Sequence, residues 1–349
     1  MNDEEKIKMF NDVFAPKSGE KILFLVDTPH NSIKDNQKWK DRREMAREWY
    51  KTFRDMGENK GFTVAFKEFR ATGVHNSPVP QEILNIAGQA NLVIAMTEFS
   101  GSSSFVPMCQ KKDSKIRAAS MPLVEKRMED TAFKADYSKV QRYSIALEKL
   151  LNKAIGAEVL FSTGDALYID LRNRKSLPDK GECNKRGQFI NFPSGETGIS
   201  PYEAVMDEVD EFGSSKTKGI LPVDYDGELV KFVVDNNRIT EIIGNGKNAE
   251  KMRGFFAENE TRKNIAELGI GCNPNAVVTG NELEDEKAGL HIAYGMSTHL
   301  GGKIKSDTHI DICYPKGCPI EGITVLLIND DGSKIEIIKN AQINYKLLQ

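Results

Sequence analysis

Two rhythms of apolar and polar residues run along this chain, and one gives way to the other near Gly156. In the first part, short unbroken apolar runs alternate with stretches of helical period. Lys21-Ile-Leu-Phe-Leu-Val26 is such a run, stopped by Asp27-Thr-Pro-His30. Runs of that length without alternation fit strands covered on both faces of a parallel sheet. Met45, Trp49, Phe53 and Met56 then recur at helical spacing, with Gly57 near the end. Phe62–Phe66, Asn91–Met96 and Ile116–Ser120 read as further strands, and Gln81–Ala90 as a helix. Val140, Tyr143, Leu147, Leu150 and Leu151 mark one more amphipathic helix. Strands alternating with helices predict a doubly wound, largely parallel α/β domain over residues 1–155.

Beyond that point period-two segments take over: Glu158–Thr163, Ala166–Leu171, Leu229–Val234, Ile239–Ile243 and Thr324–Ile328. Asp165, Asp226-Gly227, Asn236-Asn237 and Asp330-Asp331-Gly332 provide turn chemistry between them. One helix interrupts at about Ala249–Ala257. The expectation for 156–349 is a β-rich α+β domain.

The formal net charge of -3 gives no field that would draw in nucleic acid or an anionic membrane. The acidic Met1-Asn-Asp-Glu-Glu5 start lacks the apolar core of a secretory signal, and no apolar run is long enough to span a bilayer. Five cysteines without a regular framework fit reduced thiols and a cytoplasmic protein. No glycine-rich phosphate loop follows any strand, which removes the usual signature of nucleotide binding. Gly101-Ser-Ser-Ser104 is a polar turn with no more specific signal.

Candidate chemistry lies in the second half. Only five histidines occur, and His291, His299 and His309 fall within one short window. His309-Ile-Asp311 would put imidazole and carboxylate on one face of a strand, where they could share a divalent cation. Alone, such a pair is more often a surface hydrogen bond. His291 opens the strand-like His-Ile-Ala-Tyr-Gly295. Glu267 sits among apolar residues and glycines, where an unpartnered carboxylate costs several kcal/mol. Glu196 ends Asn191-Phe-Pro-Ser-Gly-Glu196 and reads as part of a rigid loop.

That segment, Ala266-Glu-Leu-Gly-Ile-Gly-Cys-Asn-Pro274, Asp285-Glu-Lys-Ala-Gly-Leu-His-Ile-Ala-Tyr-Gly295, and Gly301-Gly302 followed by Ser306-Asp-Thr-His-Ile-Asp311 occur in this order. Together they resemble the aminopeptidase T family, the M29 metallopeptidases, over roughly residues 158–312. The resemblance implies two divalent ions (Zn, Co or Mn), held here by Glu196, Glu267, His291, His309 and Asp311. It also implies a homodimer and release of N-terminal residues from small peptides, with Glu196 or Glu267 as general base. The chain departs from the family in being short and in carrying Thr298, then His299, where the family has a tyrosine. His299, and less directly Tyr294 and Tyr314, are the replacements to consider as donors to a developing oxyanion.

Two other readings stay open. His291, His309 and Asp311 make a two-histidine, one-carboxylate set of the mononuclear Fe(II) type, and the scaffold also resembles ring-cleaving dihydroxypyridine dioxygenases. A non-catalytic relative that binds a peptide or other ligand is the third.

Overall fold

A computed structural model describes residues 1–31 and 33–349. Along the chain run α1 (Asp3–Phe14), β1 (Lys21–Thr28), α2 (Gln37–Lys60), β2 (Thr63–Arg70), α3 (Gln81–Ala87), β3 (Leu92–Ala95), α4 (Ser102–Gln110), β4 (Arg117–Ser120) and α5 (Tyr137–Leu151). Then come β5 (Ala154–Phe161), β6 (Ala166–Asp170), β7 (Leu177–Asp179), β8 (Phe189–Asn191), β9 (Glu196–Ile199), α6 (Met206–Phe212), β10 (Lys218–Tyr225), β11 (Glu228–Asp235) and β12 (Arg238–Ile243). The chain ends with α7 (Lys247–Glu258), β13 (Ile265–Gly271), α8 (Glu282–Asp285), β14 (Leu290–Gly295), β15 (His309–Cys313), β16 (Gly322–Asn329), β17 (Lys334–Lys339) and β18 (Gln342–Ile343). It forms two compact units. The first is Met1–Gln141 with Asp179–Ser194 and Pro274–Ala276, and the second is Arg142–Pro178 with Gly195–Asn273 and Val277–Gln349.

The first unit holds a parallel sheet in the order β2-β1-β3-β4-β8. Helices cover both faces, as the unbroken apolar runs demand. Leu23, Leu25, Val93 and Ala95 pack with Ile83 and Ala87 of α3 and with Phe105 and Cys109 of α4. On the opposite face Phe24 meets Phe53 of α2 at 5.6 Å between ring centroids, and Phe53 lies 4.0 Å from Phe10 of α1. Asn36 caps α2 by accepting from Trp39 N at 2.8 Å, and Gly61 ends it in the left-handed region at φ 79°.

Strand order reverses between β1 and β3, where open α/β sheets commonly bind ligands. Here the polar groups at that point are spent on the chain itself. The Asp27 carboxylate accepts from the backbone N–H of Glu98 (2.8 Å) and Phe99 (3.1 Å) and from Trp39 Nε1 (2.9 Å). The serines of the Gly101–Ser104 turn do likewise: Ser104 Oγ accepts from Val79 N and Ser103 Oγ donates to Asn76 O.

Two sheets build the second unit. The larger is antiparallel, in the order β12-β11-β10-β6-β5-β16-β17-β18. The smaller runs β15-β14-β13-β9-β7. Val159, Leu167, Leu221, Phe232 and Val325 of the larger sheet share one core with Ile199, Leu268, Ile270, Leu290 and Ile292 of the smaller. The period-two segments expected from sequence are the larger sheet's strands. The smaller sheet brings one correction. Glu196 is not on a loop but is the first residue of β9, with Gly271 as its partner on β13.

Candidate metal centre

Side chains of a strand alternate between faces, and this alternation sorts the smaller sheet into a core face and a site face. Leu268 and Ile270 of β13, Leu290, Ile292 and Tyr294 of β14, and Ile310 and Ile312 of β15 belong to the core. Glu196 on β9, Glu267 on β13, His291 on β14, and His309 and Asp311 on β15 therefore come out on the other face, from four adjacent strands. A β-bulge between Ile265 and Glu267 corrects the register, so that Ile265 and Leu268 both reach the core while Glu267 reaches the site.

The structure brings all five ligand candidates together. His291 Nε2 lies 3.5 Å from Glu196 Oε2 and 3.5 Å from Glu267 Oε1. His309 Nε2 lies 3.2 Å from Glu267 Oε2 and 3.5 Å from Asp311 Oδ2. Three sets each place one ligand atom per residue within 4.8 Å of one another: Glu267, His291 and Asp311; Glu267, His299 and His309; and Glu282, Glu286 and Asp311. His309 Nδ1 stands 2.7 Å from Met296 O. A carbonyl can only accept, so Nδ1 carries a proton, and Nε2, which faces the carboxylates, is the atom that would ligate a metal once its own proton has left. That is the usual way a protein orients a ligating histidine. Glu196 Oε2 and Asp311 Oδ1 are buried with no hydrogen-bond partner. Buried carboxylate oxygens are seldom left so, and a cation bound at the Asp311 oxygen, with its bound water at the Glu196 oxygen, would meet that need. The donor set of imidazole nitrogens and carboxylate oxygens suits Zn, Co, Mn or Fe(II).

Electrostatics binds the group together. Burial alone would lower His291, but Glu267, with the charges of Glu196 and Asp311, pushes it up to about 10. Burial likewise opposes the charge on His309, and Asp311 and Glu267 overcome it, raising that imidazole well above its ordinary value. Burial would raise Glu267 and Asp311, yet the two histidines hold Glu267, and His309 chiefly holds Asp311, below the usual carboxylate range. Without an ion the centre is thus a lattice of carboxylates and imidazoliums.

The floor of the site is glycine. Gly198 on β9 pairs with Gly269 on β13, and Gly269 pairs with His291 on β14. A Cβ at Gly269 would fall inside the His291 ring, and one at Gly198 would fall on the Glu267 carboxylate. Glycine within a strand often marks such a close approach. Gly269→Ala is expected to displace His291 and to cost about 1–3 kcal/mol through overpacking. Thermal unfolding compared with Gly254→Ala, where an added Cβ meets nothing within 4 Å, would check it.

The remaining candidates sort by face. His299 lies beside the site, its ring centroid 4.5 Å from that of His309 in an edge-on arrangement. Tyr294 and Tyr314 belong to the core: Tyr294 packs on Phe256 at 5.2 Å and Tyr314 Oη donates to Pro222 O at 2.8 Å. Their hydroxyls are therefore not the replacement for the family's tyrosine. Cys272 is also in the core, 3.4 Å from Ser144 Oγ. Sequence reasoning missed Lys287, fully buried, whose ammonium lies 2.6 Å from Glu196 Oε1 and 2.7 Å from Glu286 Oε1. It missed Glu282 and Glu286 too, although the acid-rich Glu282-Leu-Glu-Asp-Glu-Lys287 stands directly before the strand of His291.

Beside Asp311 opens a cavity of about 550 Å³, walled by Met252, Phe255, Ile310, Ile312 and Ile320, with Glu282 and Asp285 at one side.

Comparison with known proteins gives no matching family model and no matching curated protein. Solved structures do match. The 2,5-dihydroxypyridine dioxygenase from Pseudomonas putida KT2440 aligns over 98% of this chain and 98% of its own, with a TM-score of 0.69 at 16% identity. Wild-type AmpT from Thermus thermophilus, an M29 aminopeptidase T, aligns over 98% of this chain and 99% of its own, with a TM-score of 0.62 at 12% identity. The chain shares their fold. At these identities the likeness is one of architecture, and it agrees with an α/β part joined to a β-rich part. Among the described residues no helix is long and apolar enough to cross a membrane.

Proposed function

We propose that this protein is a metal-dependent hydrolase that removes the N-terminal residue from small peptides. The observation that carries this reading is the convergence of Glu267, His291, His309 and Asp311, two imidazoles and two carboxylates, on one face of three adjacent strands. A divalent ion held among these residues would supply Lewis acidity and bring a bound water towards neutral pKa. Glu196 presents its unpartnered Oε2 3.5 Å from His291 and is the general base, while its other oxygen is fixed by Lys287. The cavity that Asp311 borders accepts the substrate's side chain, and Glu282, which borders the same cavity, takes its free amine. His299, beside His309, is the donor to the carbonyl oxygen as it gains charge.

The same fold and the two-histidine set support a second reading, ring cleavage by Fe(II) and dioxygen. The carboxylates favour the first reading: Glu196, Glu267 and Asp311 all face the site, and a single Fe(II) of the two-histidine type would need one. Release of the first residue from aminoacyl and dipeptide substrates by metal-loaded protein (Zn, Co or Mn) is the test. Absence of turnover on every aminoacyl substrate with metal bound, together with oxygen uptake on a dihydroxylated ring with Fe(II), would overturn the proposal.

A further inference from the structure

The layout of the centre is that of a two-cation site, yet one of the two places is already taken. Glu267 sits in the middle, with Oε1 facing His291 and Oε2 facing His309. A carboxylate divided in this way can serve two neighbouring ions. On the His309 side the remaining donor is Asp311. On the His291 side the remaining donor is Glu196, and there the Lys287 ammonium lies 2.6 Å from Glu196 Oε1. Lys287 is not a surface side chain folded in by chance. It is fully buried, and Glu286 holds the same ammonium at 2.7 Å. Its backbone is fastened as well, since Asn273 N donates to Lys287 O at 3.0 Å and Gly271 N donates to Gly289 O at 2.7 Å. Gly271 allows this approach, because a Cβ there would strike the backbone of Glu286 and Lys287.

We propose that Lys287 is a built-in substitute for the second metal ion, so that the centre takes one divalent ion per chain, on the Asp311 side of Glu267, and excludes another from Glu196. The inference rests on the metal-centre reading above and refines it. An ammonium on one oxygen of a carboxylate repels a divalent cation at the other, and in a buried site that repulsion is little screened by water. The ammonium neutralises Glu196 without offering an open coordination position. Charge is thus supplied on the Glu196 side by the protein, and Lewis acidity only on the Asp311 side.

Metal content separates the possibilities. Protein stripped with chelator, loaded with Co(II) or Zn(II) and dialysed is expected to hold one ion per chain. Lys287→Gln, which removes the charge, is expected to hold two, the second bound at least ten-fold more weakly than the first. Two ions in the unaltered protein, or one in a Lys287→Gln variant whose circular dichroism is native, would overturn the inference. No ion in the unaltered protein would instead overturn the metal-centre reading beneath it. Should the variant fail to fold, anomalous diffraction from Co(II)-loaded crystals of the unaltered protein still decides. A single peak with Lys287 on Glu196 supports the inference, and two peaks, or Lys287 turned away, defeat it.

Discussion

Glu267→Ala is expected to lower divalent-ion affinity by more than about a hundred-fold, beyond what loss of a supporting group outside the ligand shell costs a metal site. Glu267 stands between both imidazoles, at 3.5 Å from His291 and 3.2 Å from His309, and its loss removes a ligand and the charge that orients two others. Isothermal titration with Zn(II) or Co(II) would measure it, and an affinity within about five-fold of the unaltered protein would remove Glu267 from the centre. The same titration carries a proton signature. In the ion-free protein His291 is pushed up to about 10 and His309 is raised as well, so both are protonated at neutral pH. A metal needs their neutral forms. Binding should therefore release protons, and apparent affinity should rise with pH from neutrality towards about 10. Enthalpies that do not depend on the buffer's ionisation enthalpy would contradict this.

Arg117→Met should cost the first unit about 3–5 kcal/mol, the penalty for breaking a buried charged network by removing one partner. The Arg117 guanidinium is 3% exposed. It holds Glu20 with two bonds of 2.7 and 2.8 Å, donates to Phe14 O at 3.1 Å and to Asn91 O at 3.4 Å, and reaches Cys183 O at 2.7 Å. One side chain thus ties the end of α1, the approach to β1, the approach to β3 and the segment that leads to β8. Burial would raise the Glu20 carboxyl, but Arg117 holds it below its ordinary value. A carboxylate depressed in the folded state adds stability above the unfolded pKa of roughly 4.3, and that stability is lost as pH falls through the folded value. Urea midpoints from pH 7 to pH 3 should show this loss in the unaltered protein and a smaller one in Glu20→Gln. Equal acid sensitivity in the two would dismiss the pair as a source of stability.

How much of this could be read in advance depended on how strongly each residue's surroundings constrain the sequence. β1 was legible because a strand covered on both faces must be apolar throughout. His309-Ile-Asp311 was legible because period two fixes what shares a face. β9 and β13 were harder, and for one reason: the positions that would have shown alternation are Gly198, Gly269 and Gly271, which look like breaks in a strand. They are glycine because the Glu267 and His291 side chains and, at Gly271, the backbone of Glu286 and Lys287 need the space. Lys287 left no signal, since a buried lysine and an exposed one read alike in a sequence. β8, three residues long, is too short to carry a period, and only its parallel pairing with β4 gives it meaning.

That short strand also governs how the molecule can be taken apart. The first unit is completed by Asp179–Ser194, a segment that leaves the second unit after Pro178 and re-enters it at Gly195. A gene fragment ending anywhere before Asp179 would encode a parallel sheet without its last strand and an Arg117 without its Cys183 acceptor. The two halves are stitched rather than strung, so neither can be excised by a single cut.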